Sequence, residues 1–181
     1  MALLRERWVL TLATSPLPNS ADDPRMLHAT PLFYAVADLP GPPRLVFASR
    51  HDSTHGRHLG DGPTAVAAGL YLESESVAEL RGVQLRGEVV RISTAMAEPA
   101  ESAESAEPAE PAAAVSADLL RSAYLGRHPA AQALLRPGAR DELYVLTITW
   151  AKLTDNRRGF GHKLEWHFEV PGGRKNFLPT P

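Results

Sequence analysis

The chain has no cysteine. A disulfide framework, a thiolate zinc site, a cysteine nucleophile and an iron–sulfur cluster are therefore all excluded, and the lack fits a reducing compartment. Excess charge is missing too. Lys and Arg number 19 against 21 Asp and Glu, a net charge of −2, so nothing draws the whole chain to nucleic acid or to a membrane surface. Any anion must be held locally. Long hydrophobic runs are also absent. The opening stretch, Met1 to Thr14, is interrupted by Arg5, Glu6 and Arg7, and no small-residue cleavage site follows an apolar core. It reads as neither a signal peptide nor a membrane span, and the expected location is cytoplasmic. Catalytic pairs are equally scarce: Glu88 and Asp155 are single carboxylates at strand ends, and no Ser-His-Asp arrangement has local support.

What is there is enough for one domain. Of 181 residues, 44% are hydrophobic and 22% charged, which are globular values. We expect one domain over residues 1–170. It is interrupted at 97–117 by an Ala/Glu/Pro/Ser segment too poor in apolar area to fold, and followed by a Pro/Gly-rich tail at 171–181.

Strand signals dominate. Trp8, Leu10 and Leu12 alternate with Val9, Thr11 and Ala13, a period of two. Further runs lie near Leu27–Ala37, Arg44–Ser49, Ala65–Leu72, Arg81–Ile92 and Leu143–Leu153. In the fifth, Val83, Leu85, Gly87 and Val89 share one face, and Gln84, Arg86, Glu88 and Val90 the other. Six strands without a βαβ repeat predict an antiparallel barrel or sandwich. Helical stretches are short. Ser53–Leu59 has Ser53 or Thr54 to cap it and Gly60 to end it; Ser116 to Tyr124 is amphipathic and meets Gly126; Pro129–Leu135 follows.

The most informative segment is Arg44–Leu59, RLVFASRHDSTHGRHL. A strand leads into a short helix with Ser49, Ser53 and Thr54 at its start and Arg50, His55 and Arg57 nearby. Hydroxyls, free amides and cations together suit a phosphate, and a capped strand–helix connection would show the same spacing. His51, His55 and His58 have metal-ligand spacing, but no carboxylate shares their face, so no metal is expected. After the last strand, Asp155-Asn156 with Gly159 and Gly161 reads as a turn.

Taken in order, His28-Ala-Thr-Pro-Leu-Phe-Tyr34, the run Ser53-Thr-His-Gly-Arg-His-Leu59, Leu80-Arg-Gly-Val-Gln-Leu-Arg-Gly87, Ala123-Tyr-Leu-Gly-Arg-His-Pro129 and Thr154-Asp-Asn-Arg-Arg-Gly-Phe-Gly-His-Lys-Leu-Glu-Trp166 resemble the pyridoxamine-phosphate-oxidase-like FMN-binding split barrels. The tail resembles that of a small uncharacterised bacterial branch of the superfamily. The resemblance covers about Arg7 to Trp166 apart from the insert. It implies an all-β fold with minor α, a six-stranded antiparallel split barrel with two or three short helices. It also implies a homodimer with non-covalent FMN at the interface and a small organic substrate.

Carried over, Thr30, Pro31 and Leu32 lie along the flavin ring. Ala48 and Ser49 approach the ribityl chain and phosphate. Thr54 and His55 stand at the phosphate clamp with Arg50 and Arg57 beside it, and Gln84 reaches the flavin. Trp166 either packs on the barrel or lies beside the partner's flavin. Lys163 either neutralises phosphate or pairs with Glu165. Ala29 and Tyr34 replace an Arg and a Lys of the oxidase itself, and its basic C-terminal substrate motif is missing, so pyridoxal phosphate synthesis is not expected. The implied function is an FMN-dependent oxidoreductase. A non-catalytic flavin- or haem-binding protein and a deazaflavin (F420) reductase are the alternatives.

Overall fold

The structure is a computed structural model that describes residues 2–18, 20, 23, 25–92, 117–135 and 141–170. The 97–117 insert, apart from Ala117, and the 171–181 tail lie outside these residues. Along the chain come α1 (Ala2–Glu6), β1 (Val9–Thr14), β2 (His28–Ala37), β3 (Arg44–Arg50), α2 (Thr54–Leu59), β4 (Thr64–Leu72), β5 (Arg81–Ile92), α3 (Ala117–Arg127), β6 (Asp141–Asp155) and β7 (Lys163–His167).

All strand pairs are antiparallel, in the order β3-β2-β1-β4-β5-β6-β7, and β3 also pairs with β6. Six strands thus close into a barrel, as the alternating runs predict. The unanticipated seventh is a hairpin partner. Asp155 accepts from the Arg157 amide, and Gly159 and Gly161 take φ of 124° and 72°, turning β6 back as β7.

The barrel splits along β6 and β2. Residues 141–147 of the fifteen-residue β6 pair with β3, whereas residues 150–154 pair with β7 on the same edge. Likewise β2 meets β3 only from Tyr34 to Ala37, leaving residues 28–33 bonded to β1 alone. Pro31 fits there for a local reason. Tyr34 N donates to Trp8 O of the β1 side, so by alternation residue 31 turns its nitrogen to the open edge, where a proline loses no ladder bond.

Side chains obey the strand period. On β5, Val83, Leu85, Gly87 and Val89 are buried and the residues between them exposed. The barrel interior holds Leu10, Leu12, Leu45, Phe47, Leu85 and Ile148 with Leu3 and Leu4 of α1. Phe47 and Tyr144 stack there with centroids 5.4 Å apart. At Gly87 a Cβ would fall 2.1 Å from the Thr147 carbonyl oxygen, so β5 and β6 approach closely only because this residue has none. A second cluster lies outside the barrel, where Leu120 and Tyr124 of α3 cover Val46 and Leu143. α3 runs past Gly126 to Arg127 and stops because His128, preceding Pro129, is driven from helical geometry to ψ 70°. Two short helices close the barrel ends: α1 before the start of β1, and α2 over its finish, where Thr14 meets His58. No helix among the described residues is long and apolar enough to cross a membrane.

Candidate functional site

Where β2 and β3 part, α2 fills the gap. Its start is fixed by Ser53, whose side chain accepts from the Gly56 amide at 3.1 Å, and its end by Gly60 at φ 58°. It also packs hard against the preceding turn: a Cβ on Gly56 would lie 2.3 Å from Arg50 O and 2.6 Å from His51 O. This seating brings a polar cluster to an otherwise apolar barrel. His28 of β2 lies parallel to His55, with ring centroids 5.7 Å apart and an interplanar angle of 2°, and edge-on to His58 at 6.3 Å. His55 Nε2 contacts Ser49 Oγ and lies 3.2 Å from Ser53 Oγ. Beneath them, His58 Nδ1 meets Thr14 Oγ1 at 3.0 Å, fully buried.

The Ser53 hydroxyl donates to Arg50 O at 2.7 Å, so toward His55 that oxygen can only accept, whereas the Ser49 hydroxyl can donate to His55 Nε2 or accept from it. Burial, followed by the neighbouring His28 and His58, holds the His55 imidazole below its ordinary pKa of 6.5. Glu142 stands opposite Ser49 in register, but Arg91 holds it at 3.1 Å and holds Asp61 as well.

The other residues singled out in the sequence are distributed as follows. Arg50 donates from Nε to Asp52 at 2.8 Å, and Arg57 donates to the Asp52 carbonyl oxygen at 2.8 Å. Thr54 is the first residue of α2. Ala48 packs under α3, in the cluster that holds Tyr124. Thr30 and Leu32 pair with Leu12 and Leu10 and so point into the barrel, whereas Pro31 faces outward. Tyr34 belongs to the core, where its phenol donates to Leu4 O at 2.7 Å and burial pushes it up to about 12. His51 lies exposed in the turn before α2, off the helical face of His55 and His58.

The outer face of the sheet gathers the rest. Register runs in one line through Pro31, Thr11, Gly69, Gln84, Lys152 and Glu165, and in the next through Ala29, Ala13, Ala67, Arg86, Trp150 and His167. Pro31 and Gln84 thus share this face, three strand spacings or about 14 Å apart. Its β2-β1-β4 half is a floor of small residues, with Val9, Phe33 and Tyr71 39%, 59% and 67% exposed. Its β5-β6-β7 half is cationic and amphipathic: Arg86 lies 4.7 Å over the Trp150 ring, and Trp150 donates to Glu165. Lys163 stands exposed on the outer side of β7, whereas Trp166 turns inward to pack against the barrel core beside Phe168. Sequence reasoning missed His28, Arg86 and Trp150. Their one sequence signal is strand alternation, which assigns a face but no neighbour.

No protein-family model matches the chain. It is 31% identical over 115 residues to the UPF0306 protein YhbP of Salmonella paratyphi A, a match covering 64% of this chain and 61% of that relative. The matched stretch thus spans about three fifths of the relative's length. Among solved structures it is similar to a heme binding protein from Mycobacterium smegmatis, with TM-score 0.58 and 19% identity over 90% of this chain and 54% of that one. It is also similar to a pyridoxamine 5'-phosphate oxidase-related, FMN binding protein from Nostoc punctiforme, with TM-score 0.52 and 14% identity over 88% and 80%. At these identities the likeness is one of fold.

Proposed function

We propose that this chain, whose fold is the split barrel of pyridoxamine 5'-phosphate oxidase-related proteins, is a homodimeric FMN-binding flavoprotein, an FMN-dependent oxidoreductase acting on a small organic substrate. The observation that carries the reading is the cluster of Ser49, Ser53, His55 and His28 at the mouth between β2 and β3. The Ser49 hydroxyl and the imidazoles are donors that suit a phosphate monoester. Thr54, Arg50 and Arg57 surround that clamp. The backbone of Thr30, Pro31 and Leu32 and the side chain of Gln84 serve the ring and Ala48 the ribityl chain, Lys163 neutralises phosphate, and Trp166 packs on the barrel. The exposed apolar floor around Val9, Phe33 and Tyr71 is the surface a second copy would cover. FMN, when bound, supplies the redox chemistry, and the chain supplies binding and orientation. The domain assigned to residues 1–170 acts as one unit.

Titration of the apo-protein should quench FMN fluorescence. Riboflavin, which lacks the phosphate, should bind at least about tenfold more weakly, roughly 1.4 kcal/mol. Equal affinity for the two removes the phosphate assignment. Light scattering of the holo-protein should give about 39 kDa, twice the chain mass of 19.6 kDa, and a holo-monomer removes the interface. A second reading, haem, is favoured by the imidazoles at the mouth and by the likeness to a heme binding protein. The absorption spectrum of the purified protein separates flavin, haem and deazaflavin F420.

A further inference from the structure

A phosphate monoester carries close to two negative charges near neutral pH, and the mouth between β2 and α2 offers it hydroxyls before it offers charge. Arg50 is paired with Asp52, and Arg57 is bonded to the Asp52 carbonyl oxygen. The groups that face His55 come from every element around it. They are His28 from β2, Ser49 from β3, Ser53 from the turn and His58 from α2, itself bonded to Thr14 of β1. From β6, Glu142 stands opposite Ser49 but is held by Arg91. In the free site the His55 imidazole contacts Ser49 and Ser53 through Nε2, with the parallel His28 ring 5.7 Å away.

We propose that this site binds the dianion of a phosphate monoester together with one proton, taken up by the His55 imidazole, so that the ligand creates the cation that holds it. The step rests on the flavin-phosphate reading above. It makes and breaks no covalent bond except N–H: solvent or buffer gives the proton, and the imidazolium keeps it while phosphate stays. The free-site pKa of His55 lies below 6.5 and the bound one above it. By linkage the added affinity is full below the free value and lost as pH rises through the bound value.

Calorimetry of FMN binding at about pH 7.5, where the phosphate of FMN is already mostly dianionic, should be run in two buffers of different ionisation enthalpy. The observed heats should differ by an amount corresponding to uptake of a substantial fraction of one proton, while riboflavin should show none. His55→Gln should bind FMN about tenfold more weakly with the uptake gone. His55→Lys should bind tightly without uptake, and thermal melts of both variants report that they fold. Identical heats in the two buffers, or unchanged uptake in His55→Gln, would overturn the proposal. A chain that binds no FMN at all overturns instead the flavin reading beneath it.

Discussion

Two short helices close the two ends of one barrel with opposite chemistry. At the α1 end Leu3 and Leu4 are buried, and the one phenol present, Tyr34, is matched to a single carbonyl. At the α2 end three imidazoles, two serines and a threonine meet where the strands separate. An apolar plug needs only volume to hold a barrel shut. Polar groups at a mouth are costly to bury and remain worthwhile where they have something to bind. On the function proposed above, one fold divides stability and recognition between its ends.

The division is testable by breaking each end in turn. Leu4→Ala should have the largest effect, a loss of about 2–5 kcal/mol in chemical denaturation, because it opens a cavity in the apolar end. FMN affinity of the folded fraction should hardly change, and a large loss of affinity would mean the ends are coupled. Gly56→Ala comes next. Its Cβ would meet two backbone carbonyls, so α2 must shift, at about 1–3 kcal/mol, and here FMN binding should be lost with the stability. Retained binding would separate α2 from the site. The smallest effect is that of pH on the ligand-free fold. His55 is held below its ordinary 6.5 in the native state, so the unfolded chain binds more protons between the two values. Stability should therefore fall as pH drops through about 6.5 toward the native pKa and level off below it. His55→Gln should flatten that part of the urea-midpoint profile, and an unchanged profile would assign the effect to other groups.

Legibility in the sequence divided along similar lines. The inward face of β5 and the caps Ser53 and Gly60 are local facts, and the periodicity and capping rules find them. The six strands follow for the same reason. β7 did not, because five residues beside two glycines and an Asn carry too little pattern to distinguish a strand from a turn. α1 was hidden likewise, its Leu3 and Leu4 reading only as the start of an apolar run. Of the site, the Ser49–His55 segment was visible because its members are near in sequence. His28 was not assigned to it, since alignment of β2 with α2 depends on barrel closure through β3 and β6. Tyr34, noted in the sequence because it replaces a Lys of the oxidase, is core.

The split in the barrel has a further consequence, for how the molecule keeps to itself. A closed barrel has no strand edge, but this one leaves edges open, two of them along β2 from residue 28 to 33 and along the outer side of β7. An unpaired edge is a template on which another chain can add. The first carries Pro31, which offers no amide, and is overlain by α2 through the stacking of His28 on His55. The second carries Lys163, Glu165 and His167 at alternate positions on its solvent side. Both open edges are thereby guarded against an added strand.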